Sequence, residues 1–240
     1  MKYYGSINES TFKEIAPEYL AYYLQDLDGI EIALHDNSYV SYLHKLGDSY
    51  GGEYAFHATC QDAKELREYW APIYKSFSQF TGLVTLHPLD TLEATKLLLE
   101  ELQSIEGITF CIENLNKLNN KYRLNEEILR DLDYPDKTFD ISHLLFDVPE
   151  MELDIVKKYI DERVKNIHIH GFNSKIDHLP LDEKYNYQNI LLDYNNVLIF
   201  EMHIGYYTGK VEIRLAQYIK QIREFILDRE VTNLIYENAI

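Results

Sequence analysis

Cysteine is scarce: the chain has 2 in 240 residues, Cys60 and Cys111. That excludes a disulfide-stapled scaffold, and Cys111, inside the run ITFCIE, reads as a small buried hydrophobe. Proline and glycine are sparse too, at 6 and 10, and no low-complexity segment or linker stands out. No stretch reaches the ~18 apolar residues of a membrane-spanning helix. The opening MKYYGSINES lacks the apolar region of a signal peptide. A soluble, cytoplasmic protein with no membrane partner is expected. Basic residues are outnumbered, 23 against 40 acidic ones, for a formal net charge of -17. Such a surface repels phosphate backbones, because nucleic-acid affinity comes largely from Lys and Arg displacing counterions. Duplex nucleic acid is not an expected partner; a small-molecule substrate in a local metal-lined pocket is.

What the chain has in quantity is apolar material, 46% of residues, enough for a sizeable core. It is arranged as eight short β-rich runs. KYYGSI near the start is followed by GIEIAL at 29–34, EYAFH at 53–57 and GLVTLH at 82–87. Then come ITFCIE at 108–113, KTFD at 137–140, VKNIHIH at 164–170 and NVLIFE at 196–201. Helical spacing of apolar residues fills the gaps: EIAPEYLAYYLQDL, QDAKELREYWAPIYKSF, TLEATKLLLEELQSI, NEEILRDL, MELDIVKKYIDERV and KVEIRLAQYIKQIREFIL. SYVSYLHKL and YNYQNILLD give shorter helical patterns. Strand–helix alternation argues for a parallel sheet. Eight units close a barrel and no shift of composition marks a boundary, so a single (β/α)8 TIM barrel over residues 1–240 is expected. A doubly wound open sheet is the competing architecture. The 21 Tyr leave aromatic surface for a homodimer, though Tyr is equally at home half-buried on helices.

The run ends carry the chemistry. They are His57, His87, Glu113, Asp140 with His143 just after, His168 with His170, and Glu201, and His178 lies in the loop after the seventh run. Parallel barrels place their active sites at the C-terminal ends of their strands. Any one of these residues alone reads as a surface residue. Six successive strand ends, all imidazole or carboxylate, read as a metal site. His35 and His44 fall outside the pattern, and His203 is pocket lining or nothing. Imidazole and carboxylate without thiolate suit Zn²⁺, Mn²⁺, Co²⁺ or Fe²⁺ better than Ca²⁺ or Mg²⁺. Converging carboxylates also need cations or protons among them.

Four segments resemble the xylose isomerase-like barrels, which include sugar epimerases and endonucleases of the endonuclease IV type. IEN at 112–114 resembles their fifth-strand signature, and FDISH at 139–143 their D-x-x-H segment. HIHGFNSKIDHLPL at 168–181 and LIFE at 198–201 resemble the ends of their seventh and eighth strands. The resemblance implies a four-ligand site of Glu113, Asp140, His170 and Glu201, with His168 as second choice on its strand. It implies a further ion at His57 and His87, and substrate or metal contacts at His143 and His178. One departure is that Asp177 directly precedes His178, where the endonucleases have Asp-x-His; this argues against a complete third metal position. The short loops also lack arms to grip duplex DNA.

Two enzymatic readings follow. A metal-dependent isomerase or epimerase of a small sugar-like carbonyl compound would work through an enediolate, with Glu113 and Glu201 exchanging the proton. The competing reading is a multinuclear zinc phosphoesterase, in which His57 and His87 hold a second ion. Lys175 is the nearby basic residue for a phosphate, although a loop lysine reads first as solvated. A non-catalytic metal-binding barrel is the third reading. The acidic surface and compact loops favour the isomerase.

Overall fold

Each β-rich run folds as a strand. β1 (Lys2–Asn8), β2 (Gly29–Leu34), β3 (Glu53–Ala58) and β4 (Phe80–Leu86) are followed by β5 (Thr109–Glu113), β6 (Lys137–Asp140), β7 (Val164–Ile169) and β8 (Val197–Phe200). Every strand pairs in parallel with the next, and β8 returns to β1. The computed structural model describes residues 1–116, 136–182 and 187–237. It shows a closed eight-stranded barrel, as the strand count predicts, and not an open sheet.

The helices follow local chemistry. Pro17 opens the helix Pro17–Leu24, where its missing N–H is no loss. Thr91 caps Leu92–Leu102 by accepting from the Ala94 amide. QDAKELREYWAPIYKSF, expected as one helix, divides into Ala63–Glu65, a π-helical stretch Leu66–Trp70, and Ala71–Lys75. Pro72 has no N–H to continue a regular ladder through this segment. MELDIVKKYIDERV is helical only over Leu153–Lys157, since the chain must enter β7 at Val164. SYVSYLHKL lies largely in Val40–Ser49, YNYQNILLD is helical over Tyr187–Ile190, and the last helix is Val211–Glu237. NEEILRDL lies outside the described residues. Among those described, no helix is long and apolar enough to cross a membrane.

Alternation along the strands separates two environments. Ile30, Ile32, Phe56, Val84, Ile167 and Phe200 join the main core with helix residues such as Leu20, Leu43, Leu99 and Leu215. On the other face, Tyr4, Ala55 and Ile199 form a small separate apolar cluster. The interior also holds Glu31, Thr85, Thr138, Asn166 and His168, none more than 2% exposed. A TIM barrel interior is ordinarily filled by branched apolar side chains. This one is polar around the site.

Candidate metal centre

Period-2 alternation aims the same parity of each strand at the barrel mouth. Glu113 and Asp140 end β5 and β6, His57 is next to last in β3, and His87, His170 and Glu201 immediately follow β4, β7 and β8. Glu113 divides its carboxylate between two groups. Its Oε1 lies 3.0 Å from His168 Nδ1, while Oε2 lies 3.2 Å from His87 Nε2 and 3.5 Å from His57 Nε2. Glu201 does the same. Its Oε2 lies 3.0 Å from His168 Nδ1 and 3.3 Å from His178 Nε2, and Oε1 lies 3.5 Å from His57 Nδ1.

Asp140 has two tasks. Its Oδ1 accepts from the His143 amide at 2.6 Å, capping the helix Ile141–Asp147, and Oδ2 faces His170 Nε2 at 3.4 Å. That short helix was hidden in the sequence by its continuous apolar run. Asn114, from IEN, ties the two strand ends together: its Nδ2 donates to Asp140 O and its Oδ1 accepts from Asp140 N, both at 2.8 Å. Asn114→Ala would orphan both backbone groups in a fully buried place. A loss of roughly 2–4 kcal/mol is expected, read from chemical denaturation.

The loop after β7 returns the remaining residues to the mouth. Gly171 and Leu179 exchange both backbone hydrogen bonds at 2.8 Å. A Cβ on Gly171 would sit 1.8 Å from Pro180 O, so the close approach requires glycine. His178 beyond it takes φ 54°, a left-handed conformation in which His is enriched among non-glycine residues. Asp177 Oδ1 lies 3.0 Å from His178 Nδ1, and Asn116 Nδ2 donates to Asp177 Oδ2 at 2.7 Å. Despite the adjacent Asp177–His178 pair, the rings of His143, His170 and His178 meet, with centroids 4.3–5.4 Å apart.

The charges are strongly coupled. Burial would lower the His57 pKa, but Glu201, Glu31 and Glu113 outweigh it and raise it to about 9. The same carboxylates drive His168 well above its ordinary value against the cost of burial. Burial would raise Glu113 and Glu201, yet His168 pulls both well below the carboxylate range, with His178 adding to the effect at Glu201.

Six buried atoms here have no hydrogen-bond partner among the described residues: Glu31 Oε2, His57 Nε2, Glu113 Oε2, Asp140 Oδ2, His143 Nε2 and His170 Nε2. Each such atom costs ~1–3 kcal/mol, so together they call for a ligand from outside the chain. His143 Nδ1 faces the Asn114 carbonyl at 2.9 Å, which only accepts; Nδ1 therefore carries the proton and Nε2 offers a lone pair. Donor atoms lie within 4.8 Å of one another in four groups: His57/His87/Glu113, Glu113/Asp140/His168/Glu201, His143/His170/His178 and Glu31/His57/Glu201. Carboxylates at that separation repel by roughly 3–4 kcal/mol per pair at an effective dielectric of ~20. Divalent cations fit the donor set, the spacing and the charge.

His168, the second choice on its strand, is grouped with Glu113, Asp140 and Glu201, whereas His170 joins His143 and His178. Lys175 is exposed in its loop. His203 caps its own turn by accepting from the Gly205 amide. Glu31 was missed, although a glutamate inside GIEIAL, on an otherwise apolar strand, was a legible signal. A cavity of about 350 Å³ opens over the site, lined by His35, His57, Gln61, His87, Glu113, His143, His178 and Glu201 among others.

No protein-family model matches this chain, and no curated protein matches it in sequence. In structure it is similar to an L-ribulose 3-epimerase, at 14% identity and TM-score 0.61 over 98% of this chain and 96% of that one. It is similar to a xylose isomerase domain containing protein from Salmonella typhimurium, at 17% identity and TM-score 0.57 over 96% and 97%. Endonuclease IV from Thermus thermophilus gives 15% identity and TM-score 0.54 over 93% and 99%. The fold these structures share with this chain is the closed eight-stranded TIM barrel. A fold leaves the reaction to be argued from the site.

Proposed function

We propose that this chain is a metal-dependent phosphoesterase of the xylose isomerase-like superfamily, acting on a small phosphorylated molecule. The observation that carries the reading is the divided carboxylate of Glu113, with His168 at Oε1 and His57 and His87 at Oε2. A single four-donor centre would leave the second group unexplained. Glu113 would be shared between a position at His57 and His87 and a position at Asp140, His168 and Glu201. His143, His170 and His178 offer a third group of donors. Divalent cations at these positions would supply charge neutralisation to a phosphoryl group and acidify the attacking water. The chain itself fixes the spacing: Glu113 and Glu201 hold the groups together, and Asp177 orients His178 at the cavity wall. Among the described residues, the cavity lining contains no Lys or Arg, so bound cations would meet the phosphate charge. Its volume, about 350 Å³, suits a small substrate.

The isomerase reading retains one specific support. Glu113 and Glu201 both lie 3.0 Å from His168 Nδ1, flanking one centre as proton exchange at a substrate carbon requires. The experiment is elemental analysis of protein purified without chelator, followed by chromogenic phosphoesters and a panel of ketoses. Two or more ions per chain with phosphoester hydrolysis is the expected result. One ion with ketose conversion favours the isomerase, and metal without any turnover favours a non-catalytic barrel. Metal uptake should also be visible in thermal unfolding. Free zinc at about 100 times its dissociation constant is expected to stabilise the fold by ~2.7 kcal/mol per site, and chelator should reverse it.

A further inference from the structure

We infer that Ser142 and Tyr187 are positioning residues that clamp the backbone of His170 from both sides and so fix its imidazole for metal. The inference rests on the metal-centre reading above and concerns two residues outside its donor groups. β7 ends at Ile169, and β6 has by then turned into the helix Ile141–Asp147. The parallel ladder pairs Asp140 with His168 and stops short of His170, two residues on. His170 is fully buried, so its amide and its carbonyl each demand a partner.

Two side chains supply them. His170 N donates to Ser142 Oγ at 2.8 Å, and Tyr187 Oη donates to His170 O at 2.9 Å. The two hydroxyls lie 3.0 Å apart. Tyr187 has one proton and gives it to the carbonyl, so Ser142 is the donor between them. The three bonds close a ring, and Ser142 and Tyr187 are themselves buried, away from competing water. A serine inside a helix ordinarily turns to backbone near it in sequence. This one, within the apolar run ISHLLFD, reaches across to another strand.

The clamp joins the segments that carry the third group of donors. Ser142 stands between Asp140 and His143, and Tyr187 opens the helix Tyr187–Ile190 that follows the His178 loop. His170 Nε2 has no hydrogen-bond partner among the described residues and lies 3.4 Å from Asp140 Oδ2. Its ring centroid is 5.1 Å from that of His143 and 4.3 Å from that of His178. Metal donors work only when held within ~0.5 Å of their productive geometry, and a tethered backbone provides that.

The test is zinc titration by competition with a chromophoric chelator in wild type, Tyr187→Phe, Ser142→Ala, His170→Ala and the Tyr187→Phe/His170→Ala pair. Tyr187→Phe and Ser142→Ala each remove a single oxygen. Each should weaken one zinc position by about 10-fold and leave the others at wild-type affinity. With His170 replaced, Tyr187→Phe should cause no further loss, because it acts through that residue. A merely structural role would weaken every position, in both backgrounds. Cobalt in place of zinc gives a second readout that does not need the His170 variant: the visible absorption bands of loaded Tyr187→Phe should differ from those of wild type. Wild-type zinc affinity and wild-type cobalt bands in both single variants would overturn the inference. A further loss in the pair, or weakening of every position, would also overturn it. A wild type that takes up no zinc would instead refute the metal-centre reading, and the inference would fall with it.

Discussion

Glu113→Gln is expected to strip metal from two positions at once and to lower turnover by ~10²-fold or more. Gln preserves volume and one acceptor but can no longer neutralise two cations. Its amide group must face either His168, 3.0 Å from Oε1, or His87, 3.2 Å from Oε2. Either orientation turns a donor atom away from one group of histidines. The measurement pairs elemental analysis with the rate on a phosphoester that wild type hydrolyses. Glu53→Gln is the control, since Glu53 pairs with Lys2 and Tyr4 away from the mouth and should leave metal content unchanged. Near-normal turnover by Glu113→Gln would count decisively against its assigned place.

The barrel was legible because two periodicities alternate cleanly. Runs such as GIEIAL and NVLIFE are too short and too β-branched for helices, and the segments between them repeat at helical spacing. Eight repeats then leave closure as the economical topology. Local backbone chemistry was harder to read. Pro72 interrupts a segment whose apolar spacing suggested one helix, and ISHLLFD packs on all sides, so its helix carries no amphipathic signature.

The convergence of these side chains at the mouth was more legible than how they group there. Alternation puts His168 and His170 on the same face, so spacing alone ranks them poorly. Strand register pairs Asp140 with His168, while His170 stands two residues further along toward His143 and His178 with its Nε2 3.4 Å from Asp140 Oδ2. Register is set by contacts between distant segments, and no single strand encodes it. Glu31 escaped attention for a related reason. It lies in the body of its strand and not at the end, and only the closed barrel shows that its carboxylate reaches His57 and His168.

Substituting His57 and His87 together by Ala is expected to separate the two enzymatic readings. The rings lie on adjacent strands with centroids 4.8 Å apart, and both reach Glu113 Oε2. The Oε1 side of Glu113, with Asp140, His168 and Glu201, loses none of its own donors. For a phosphoesterase, the double variant should therefore bind one ion fewer than wild type, and hydrolysis should fall by ~10²-fold or more, because the cation that His57 and His87 would hold could no longer help acidify the attacking water. For an isomerase, ion content should stay at one in both proteins. Removing two cavity-wall imidazoles would then raise KM and leave kcat nearly unchanged, the signature of lost uniform binding. Metal content and the KM-against-kcat split are independent readouts, so each checks the other. If neither protein retains metal after resupply, both readings fail. A fall from two or more ions to one fewer, together with loss of hydrolysis, is the expected outcome.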